Sequence, residues 1–256
     1  MSNGSLRHIA FIMDGNRRWA EAHGLPKGEG HRAGVEAFRR VVKRCSEIEE
    51  IEAVTVYAFS TENWKRPKSE VTLLMNMLYT YLGRSVDEMN ENGVRFRVIG
   101  DKSAFSERLK NKIDEVEELT KNNPKLLNVA LNYGGRDEIV RAFNRLAESG
   151  KKNITEDDIS SELYTSDCPD PDLIVRTSGE LRLSNFLIWQ AAYSEFYFTD
   201  IFWPDMKRAV GALEEYNACK NNIFACWMCN HNTCSCVFGY VGFSDTYGSH
   251  YFYFGL

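Results

Sequence analysis

The run His8-Ile9-Ala10-Phe11-Ile12-Met13-Asp14-Gly15-Asn16-Arg17-Arg18-Trp19 begins with apolar, β-prone residues and ends in a polar turn. The apolar half predicts a buried strand, and the triplet at 14–16 is of the kind that forms turns. In open α/β sheets, ligands bind at the carboxyl ends of the strands. The carboxylate of Asp14 is therefore expected where a ligand binds.

Positive charge follows this turn along the path into a helix. Arg17 and Arg18 come directly after it, and Lys27, His31 and Arg32 come soon afterwards. Basic side chains and the backbone N–H groups of a helix N-terminus both favour an anionic ligand with phosphate groups. A carboxylate beside such cations can hold a divalent ion between itself and a phosphate.

The composition is that of an ordinary globular protein. The chain has 256 residues, is 43% hydrophobic and carries a formal net charge of -5, so it is long enough for one sizeable core. The mildly acidic balance argues against a nucleic-acid partner. The N-terminus has no apolar signal core, and no stretch reaches the roughly 18 continuous apolar residues of a membrane-spanning helix. We therefore expect a cytoplasmic protein.

Strand-like and helix-like segments alternate along the chain. After the first strand, strands are predicted at 53–59, 93–101, 126–131, 172–176 and 195–198, and helices at 30–48, 69–92, 103–122, 137–149, 155–164 and 206–216. Strands separated by helices of this length predict βαβ units. The expected fold is α/β, a single open, mostly parallel six-stranded sheet flanked by helices.

Polar residues follow the predicted strands, and they would meet at one edge of such a sheet. They include two hard oxygen ligands, four permanent cations, four orienting groups and one group that titrates near neutrality: Asp14 and Glu195; Arg18, Arg66, Arg176 and Arg182; Asn16, Ser60, Asn63 and Ser184; and His31. The body of the chain shows no Walker-type loop, serine triad signature or zinc-spaced cluster. These residues supply no evident nucleophile, so the chemistry indicated is metal-assisted departure of a diphosphate.

Three blocks of the sequence resemble the signature of the cis-prenyltransferases, in the order of that family. They are 13–20 with Gly30-His31, 57–64 with Arg66-Pro67, and 176–187 with Trp189-Gln190 and 193–195. The resemblance is strongest to bacterial undecaprenyl diphosphate synthases and spans roughly residues 7–217. It implies a Mg²⁺-dependent enzyme that condenses isopentenyl diphosphate repeatedly onto an allylic diphosphate such as farnesyl diphosphate. The product would be a polyprenyl diphosphate such as undecaprenyl diphosphate, a lipid-carrier precursor.

The resemblance also implies roles for single residues. Asp14 would bind Mg²⁺ with the diphosphate, Glu195 would complete the metal site, and Asn63 would accept the proton. The allylic substrate would be surrounded by Gly15, Asn16, Arg17, Arg18, Trp19, Lys27 and His31. The reacting region would be lined by Ser60, Thr61, Glu62, Trp64 and Arg66, and isopentenyl diphosphate would be held by Arg176, Arg182, Leu183 and Ser184.

A hydrophobic tunnel for the growing chain is also implied, with the Leu- and Met-rich helix at 69–92 as its wall. Plain core packing explains the composition of that helix equally well. By the same resemblance, the protein would be a homodimer with peripheral contact to the membrane for product release.

The sequence departs from the family pattern at three places. Arg17 stands where many bacterial members have Gly, and Lys27 stands where Arg is typical. The Arg-rich end of the family is replaced by residues 221–256, in which Asp245 is the only charged side chain. We therefore divide the chain into a catalytic domain, 1–220, and a Cys- and aromatic-rich tail, 221–256, outside the core fold.

Two alternatives stay open. The cysteines and histidine of the tail could be drawn as a zinc site, although their spacing is compressed for a known module. The chain could also be a non-catalytic or impaired subunit of a prenyltransferase complex. Five residues of the implied site are retained, which favours the active enzyme: Asp14, Arg18, Asn63, Arg176 and Arg182.

Overall fold

The sheet has six strands in the order β3-β4-β2-β1-β5-β6, and every neighbouring pair is parallel. The structure, a computed structural model, describes residues 6–206. The strands are β1 (His8–Ile12), β2 (Ala53–Ser60), β3 (Val94–Ile99), β4 (Lys125–Tyr133), β5 (Leu173–Arg176) and β6 (Glu195–Phe198). The predicted α/β architecture and its six parallel strands are confirmed.

Helices connect the strands and cover the sheet. They are α1 (Asn16–Ala22), α2 (Lys27–Glu47), α3 (Lys68–Leu82), α4 (Val86–Glu91), α5 (Glu107–Thr120), α6 (Gly135–Glu148) and α7 (Glu156–Glu162). Short 3₁₀ turns lie at Thr61–Lys65, Lys102–Ala104, Gln190–Tyr193 and Trp203–Asp205. The helix predicted at 206–216, apart from Met206, and the tail at 221–256 lie outside the described residues.

The single helix predicted at 69–92 is wrong, because the structure divides it into α3 and α4. Helix α3 ends at Leu82, and the backbone N–H of Gly83 bonds the carbonyl of Tyr79. The hydroxyl of Ser85 then donates to the carbonyl of Tyr81 at 2.6 Å, so a side chain satisfies one of the last free carbonyls of α3.

The core lies on both faces of the sheet, because successive side chains of a strand point to opposite sides. All five residues of β1 are buried. Ile9 and Phe11 pack with α2 and α5 on one face, whereas Ala10 and Ile12 pack with Phe186 on the other. The central strand is thus fixed from both sides, which also fixes the turn that follows it.

Helix α5 covers the outer edge of β3. The hydroxyl of Thr120 accepts the N–H of Phe96 at 3.0 Å, and the carboxylate of Glu117 accepts the N–H of Val98 at 2.8 Å. These side chains satisfy two backbone donors that would otherwise be open to a strand of another molecule. The edge of the sheet is therefore closed by its own helix.

A buried polar network holds the amino-terminal end of the sheet. The ring of His8 lies 2.6 Å from the carbonyl of Pro169 through Nδ1 and 2.8 Å from the hydroxyl of Thr55 through Nε2. A carbonyl only accepts, so Nδ1 carries the proton and Nε2 accepts from Thr55, as in a neutral imidazole. Burial lowers the pKa of His8 to about 4. This histidine is structural, and it lies at the opposite end of the sheet from Asp14.

Among residues 6–206, we find no helix that is both long enough and apolar enough to cross a membrane.

Candidate active site

Asp14 lies at the carboxyl end of β1, beside the end of β5. Its Oδ2 accepts a hydrogen bond from Nη2 of Arg176 at 2.9 Å, because β1 and β5 are neighbours and Ile12 pairs with Arg176. Its Oδ1 accepts the N–H of Gly15 at 2.7 Å and lies 3.5 Å from Nη2 of Arg18. The structure thus brings together three of the predicted site residues, one carboxylate and two guanidinium groups.

Glycines let α1 and the turn before it approach their neighbours closely. Gly15 has φ +99°, and a Cβ there would lie 2.7 Å from Oγ of Ser178. A Cβ on Gly30 would lie 1.9 Å from the carbonyl oxygen of Asn16, and one on Gly34 would lie 2.4 Å from Oδ1 of Asn16. The predicted residue Asn16 is therefore packed against α2. Within the described residues its Oδ1 is buried without a hydrogen-bond partner.

Arg176 organises the segment that follows β5. It is 4% exposed, and its Nη1 donates to Oγ of Ser184 at 2.6 Å and to the carbonyl of Arg182. Four non-glycine residues of this segment have left-handed backbone: Ser178 at φ +80°, Ser184 at +50°, Asn185 at +64° and Leu187 at +43°. Such conformations are strained and persist where the surroundings enforce them.

An aromatic group beneath this segment supplies that support. The ring of Tyr57 stacks on Phe186 with centroids 4.6 Å apart. The hydroxyl of Tyr57 lies 3.1 Å from the carbonyl of Tyr133 and 3.3 Å from that of Ser184. It therefore ties the end of β4 to the segment that carries Ser184. Leu183, another predicted residue, is partly buried against the same core.

The predicted residues at 60–66 form a short 3₁₀ turn after β2. Oδ1 of Asn63 accepts the N–H of Ser60 at 3.2 Å, so the predicted proton acceptor closes a capping box. The ring nitrogen of Trp64 donates to Oδ1 of Asn132 at 2.7 Å. These bonds fix the two side chains over the carboxyl ends of β2 and β4.

Glu62 joins the 3₁₀ turn after β2 to the segment that follows β5. Burial acts to raise its pKa, but hydrogen bonds from the side chains of Ser60, Asn185 and Thr61 outweigh it and lower the pKa. A Cβ on Gly134 would lie 2.7 Å from Nδ2 of Asn185 and 3.2 Å from the hydroxyl of Thr61. The close approach of these loops thus requires a glycine.

Two further predicted arginines and the predicted histidine meet at a carboxylate that the sequence did not single out. Nη1 of Arg66 and Nε2 of His31 lie 3.1 Å and 3.5 Å from Oε1 of Glu70, and Nη1 of Arg17 lies 3.9 Å from its Oε2. The Arg66–Glu70 spacing of four residues is the one signal that sequence offered. Lys27, in contrast, is exposed at the first turn of α2.

Arg182 extends away from Arg176 toward the surface. Its guanidinium pairs with the carboxylate of Glu180, and the other oxygen of that carboxylate lies 3.7 Å from Nη1 of Arg18. Asp14 and Glu180 therefore alternate with three arginines along this edge. Such an arrangement binds polyanions and stabilises negative charge that develops on a leaving group.

Glu195 does not join this site within one chain. It is the first residue of β6 and pairs with Leu173, the first residue of β5, whereas Asp14 lies beside Arg176 at the other end of β5. The expectation that both carboxylates share one ion is therefore not met in a single chain. In this parallel sheet Glu195 lies at the amino end of β6, whereas Asp14 follows the carboxyl end of β1. Burial and the charge of Asp172 raise the pKa of Glu195.

The donor set limits how a metal could be held. Across the described part of the chain there is no group of three or more His, Cys, Asp or Glu side chains that could hold a metal ion. Asp14 offers one half-buried carboxylate at the carboxyl edge of the sheet, beside the guanidinium of Arg18. Mg²⁺ is commonly held by one or two carboxylates together with substrate phosphates, not by an all-protein cage. The residues present therefore fit Mg²⁺ carried with a diphosphate.

A cavity of about 800 Å³ lies against α2 and α3. The apolar residues of the predicted stripe, such as Leu74 and Leu78, pack against the core instead. The cavity is lined by the adjoining face of α3, which includes Met77 and Tyr81. Its other apolar lining residues are Trp19, Leu25, Ala33 and Val35. Helix α3 thus serves both the core and a cavity.

Known proteins are similar to this chain in sequence and in fold. The family described as "Putative undecaprenyl diphosphate synthase" matches residues 12–223. The isoprenyl transferase of Fusobacterium nucleatum subsp. nucleatum is 51% identical over 220 residues, which are 85% of this chain and 95% of that protein. The ditrans,polycis-undecaprenyl-diphosphate synthase ((2E,6E)-farnesyl-diphosphate specific) of Vibrio vulnificus is 49% identical over 206 residues, covering 78% and 82% of the two chains.

Solved structures agree with these relatives. Lavandulyl diphosphate synthase from Lavandula x intermedia, in complex with dimethylallyl diphosphate, superposes with a TM-score of 0.79 at 35% identity and covers 85% of this chain and 96% of its own. A probable undecaprenyl diphosphate synthase from Campylobacter jejuni superposes with a TM-score of 0.69 at 36% identity, covering 83% and 95%. The family model matches most of this chain, and the alignments cover most of the length of these relatives. With polar residues from the ends of β1, β2 and β5 gathered at one edge of the sheet, this chain belongs to the undecaprenyl diphosphate synthase family of cis-prenyltransferases and is a prenyl-transferring enzyme.

Proposed function

We propose that this enzyme condenses isopentenyl diphosphate repeatedly onto an allylic diphosphate, with farnesyl diphosphate as primer, to give a polyprenyl diphosphate such as undecaprenyl diphosphate. The observation that carries the proposal is the contact between Asp14 and Arg176 at 2.9 Å, with Arg18 at 3.5 Å. It puts cations for two diphosphates beside a carboxylate. The name of the Vibrio vulnificus relative supports farnesyl diphosphate as the primer.

In this proposal two sets of polar residues each hold one substrate, and a third set carries the proton acceptor. The turn at 15–19, with Lys27 and His31, holds the allylic diphosphate, and Arg176, Arg182 and Ser184 hold isopentenyl diphosphate. Asn63 accepts the proton lost in each condensation. Its Oδ1 already accepts the N–H of Ser60 at 3.2 Å, so the second lone pair of that oxygen is the one left for this step.

Asp14 would hold Mg²⁺ together with the diphosphate. When bound, the ion supplies charge neutralisation to the departing diphosphate. The arginines around Asp14 add fixed positive charge at the same edge, and they need no reorganisation when the negative charge develops. Binding and departure of the diphosphate are thus shared between the ion and the side chains.

The growing chain would enter the cavity against α2 and α3 along its apolar residues, such as Trp19, Val35 and Met77, which lie among charged and polar lining residues. The finite volume of the cavity would then limit the length of the product. We also propose a homodimer with peripheral membrane contact for product release. Val140 and Phe143 are exposed one turn apart on α6 and offer an apolar face for such an assembly.

The test is incorporation of labelled isopentenyl diphosphate into polyprenyl product with Mg²⁺ and farnesyl diphosphate. We expect product from the intact chain, a large loss with Asp14→Ala, and no loss with the control Glu52→Gln, which changes an exposed ion pair to Arg7. A chain truncated after Asn217 tests whether the tail impairs turnover. Absence of product from both the intact and the truncated chain would favour the alternative, a non-catalytic or impaired subunit.

A further inference from the structure

Glu70 lies in the first turn of α3, with its side chain 12% exposed, and faces two guanidinium groups and an imidazole from three other parts of the chain. Arg17 comes from α1, His31 from α2 and Arg66 from the loop before α3. Arg66 and His31 approach Oε1 at 3.1 Å and 3.5 Å, and Arg17 approaches Oε2 at 3.9 Å. One carboxylate therefore touches or faces all three.

The charges explain why a single carboxylate is needed here. Two permanent guanidinium groups would repel one another at these separations without a shared counter-charge, and the buried imidazole faces the same carboxylate. A surface ion pair contributes little, but this carboxylate is largely removed from water, so its attraction is screened less. Glu70 therefore fixes where the three side chains lie.

We propose that Glu70 is a positioning residue of the diphosphate site, which holds Arg17, His31 and Arg66 in the arrangement that receives the anionic substrate. This inference rests on the proposed function, in which all three partners contact the allylic substrate or the reacting region. It adds a residue that belongs to none of the motif blocks of the sequence. It also gives Arg17 a fixed partner at the position where many bacterial members have Gly.

The charge state of His31 depends on the same contact. Burial lowers its pKa, the carboxylate of Glu70 acts in the opposite direction, and the guanidinium groups of Arg66 and Arg17 reinforce the lowering. These are the charged groups that face the ring from α3, the preceding loop and α1. Removing the charge of Glu70 leaves burial and two cations unopposed, so the pKa of His31 must fall further.

Two measurements that do not use the condensation reaction test the proposal. The first is the pKa of His31 from NMR titration of its ring protons, assigned with a His31→Asn variant. The second is the dissociation constant for inorganic diphosphate by calorimetry, measured across pH. For Glu70→Gln we expect a lower pKa of His31 and diphosphate binding weaker by about tenfold, the size expected for loss of one hydrogen bond to a charged group.

The control is Glu107→Gln, which removes a carboxylate from the first turn of α5 and an ion pair to Lys110 without facing His31. We expect neither measurement to change in this variant. Glu70→Asp keeps the charge on a shorter side chain, so we expect a nearly unchanged pKa of His31 but weaker diphosphate binding. It also serves as the deciding variant if Glu70→Gln does not fold.

If Glu70→Gln leaves either the pKa of His31 or the diphosphate affinity at the wild-type value, Glu70 only stabilises its helix and the proposal is overturned. The same holds if Glu70→Asp becomes the deciding variant and binds diphosphate as the wild type does. An intact chain that forms no polyprenyl product would contradict the proposed function. The two measurements would still decide the role of Glu70.

Discussion

Replacing Arg176 by Lys keeps the positive charge and removes the fork that the site uses. The guanidinium reaches Asp14 with one nitrogen and Ser184 and the carbonyl of Arg182 with another, while the side chain is 4% exposed. An ammonium group on a flexible stem reaches one or two of these acceptors, not all three. The acceptors themselves are partly open to water, so the loss is that of the charged hydrogen bonds and not of a buried, unpaired acceptor.

The magnitude follows from the bonds that are lost. A hydrogen bond to a charged group contributes about 1.5–3 kcal/mol, and at least one such bond disappears in Arg176→Lys. If the full loss is felt in the transition state, kcat/KM falls by about ten- to a hundredfold, since each 1.4 kcal/mol is a factor of ten. We expect most of the effect in KM for isopentenyl diphosphate, because Arg176 would hold this substrate before and during reaction.

The assay is steady-state incorporation of labelled isopentenyl diphosphate, with thermal unfolding measured in parallel. The control is Arg7→Lys, which breaks an exposed two-pronged contact to Glu52 at the amino-terminal end of the sheet, the end opposite Asp14. We expect this control to keep wild-type kinetics. A kcat/KM of Arg176→Lys within threefold of the wild type would refute the reasoning, since it would mean that the charge suffices and the fork does not matter.

Three more predictions follow from other parts of the molecule. Gly34→Ala should lower the free energy of unfolding by about 1–3 kcal/mol in thermal unfolding and weaken binding of the allylic substrate, because the new Cβ would lie 2.4 Å from Oδ1 of Asn16. The control Gly28→Ala should be neutral, because its Cβ meets only a side-chain carbon at 3.4 Å. The pKa of His8 is about 4 in the folded chain against 6.5 ordinarily, so the neutral ring contributes its full stability above pH 6.5. As the pH drops toward 4, the free energy of unfolding should fall by about 3 kcal/mol through this residue. Urea unfolding measured across pH should show that His8→Asn removes this part of the pH dependence. Val35 lines the cavity, so Val35→Trp should shorten the polyprenyl product and Val35→Ala should lengthen it, as measured by thin-layer chromatography. Equal product lengths in the two variants would contradict the proposed path of the growing prenyl chain.

The sheet could be predicted from sequence because its strands are apolar runs bounded by polar turns. Asp14 was placed correctly at a strand end by the triplet that follows β1. The division between α3 and α4 was missed because Leu82 and Val86 keep helical spacing across it. Periodicity measures the angle between apolar residues, and a short break that preserves this angle is invisible to it.

Two features of the site have a different origin. The strand that begins at Glu195 has the bounds that the sequence predicts, but the sequence does not show that Glu195 lies at the opposite end of the sheet from Asp14 within one chain. Glu70 was missed because a carboxylate on a helix looks the same in sequence whether it faces water or two guanidinium groups and an imidazole. Only the packing of α1 and α2 beside α3 distinguishes the two cases.

Buried polar side-chain atoms without a hydrogen-bond partner are concentrated around this site. Among residues 6–206 there are eight such side-chain atoms, and five belong to the site: Asn16 Oδ1, Trp19 Nε1, His31 Nε2, Arg176 Nε and Ser178 Oγ. Each unsatisfied group costs about 1–3 kcal/mol, and strained left-handed residues lie in the same place. Trp19 Nε1 and Arg176 Nε are donors and the hydroxyl of Ser178 can donate, whereas Asn16 Oδ1 only accepts. Unpartnered polar atoms and left-handed residues therefore lie together at the edge of the sheet to which the proposed function assigns the diphosphates, as is typical of functional sites.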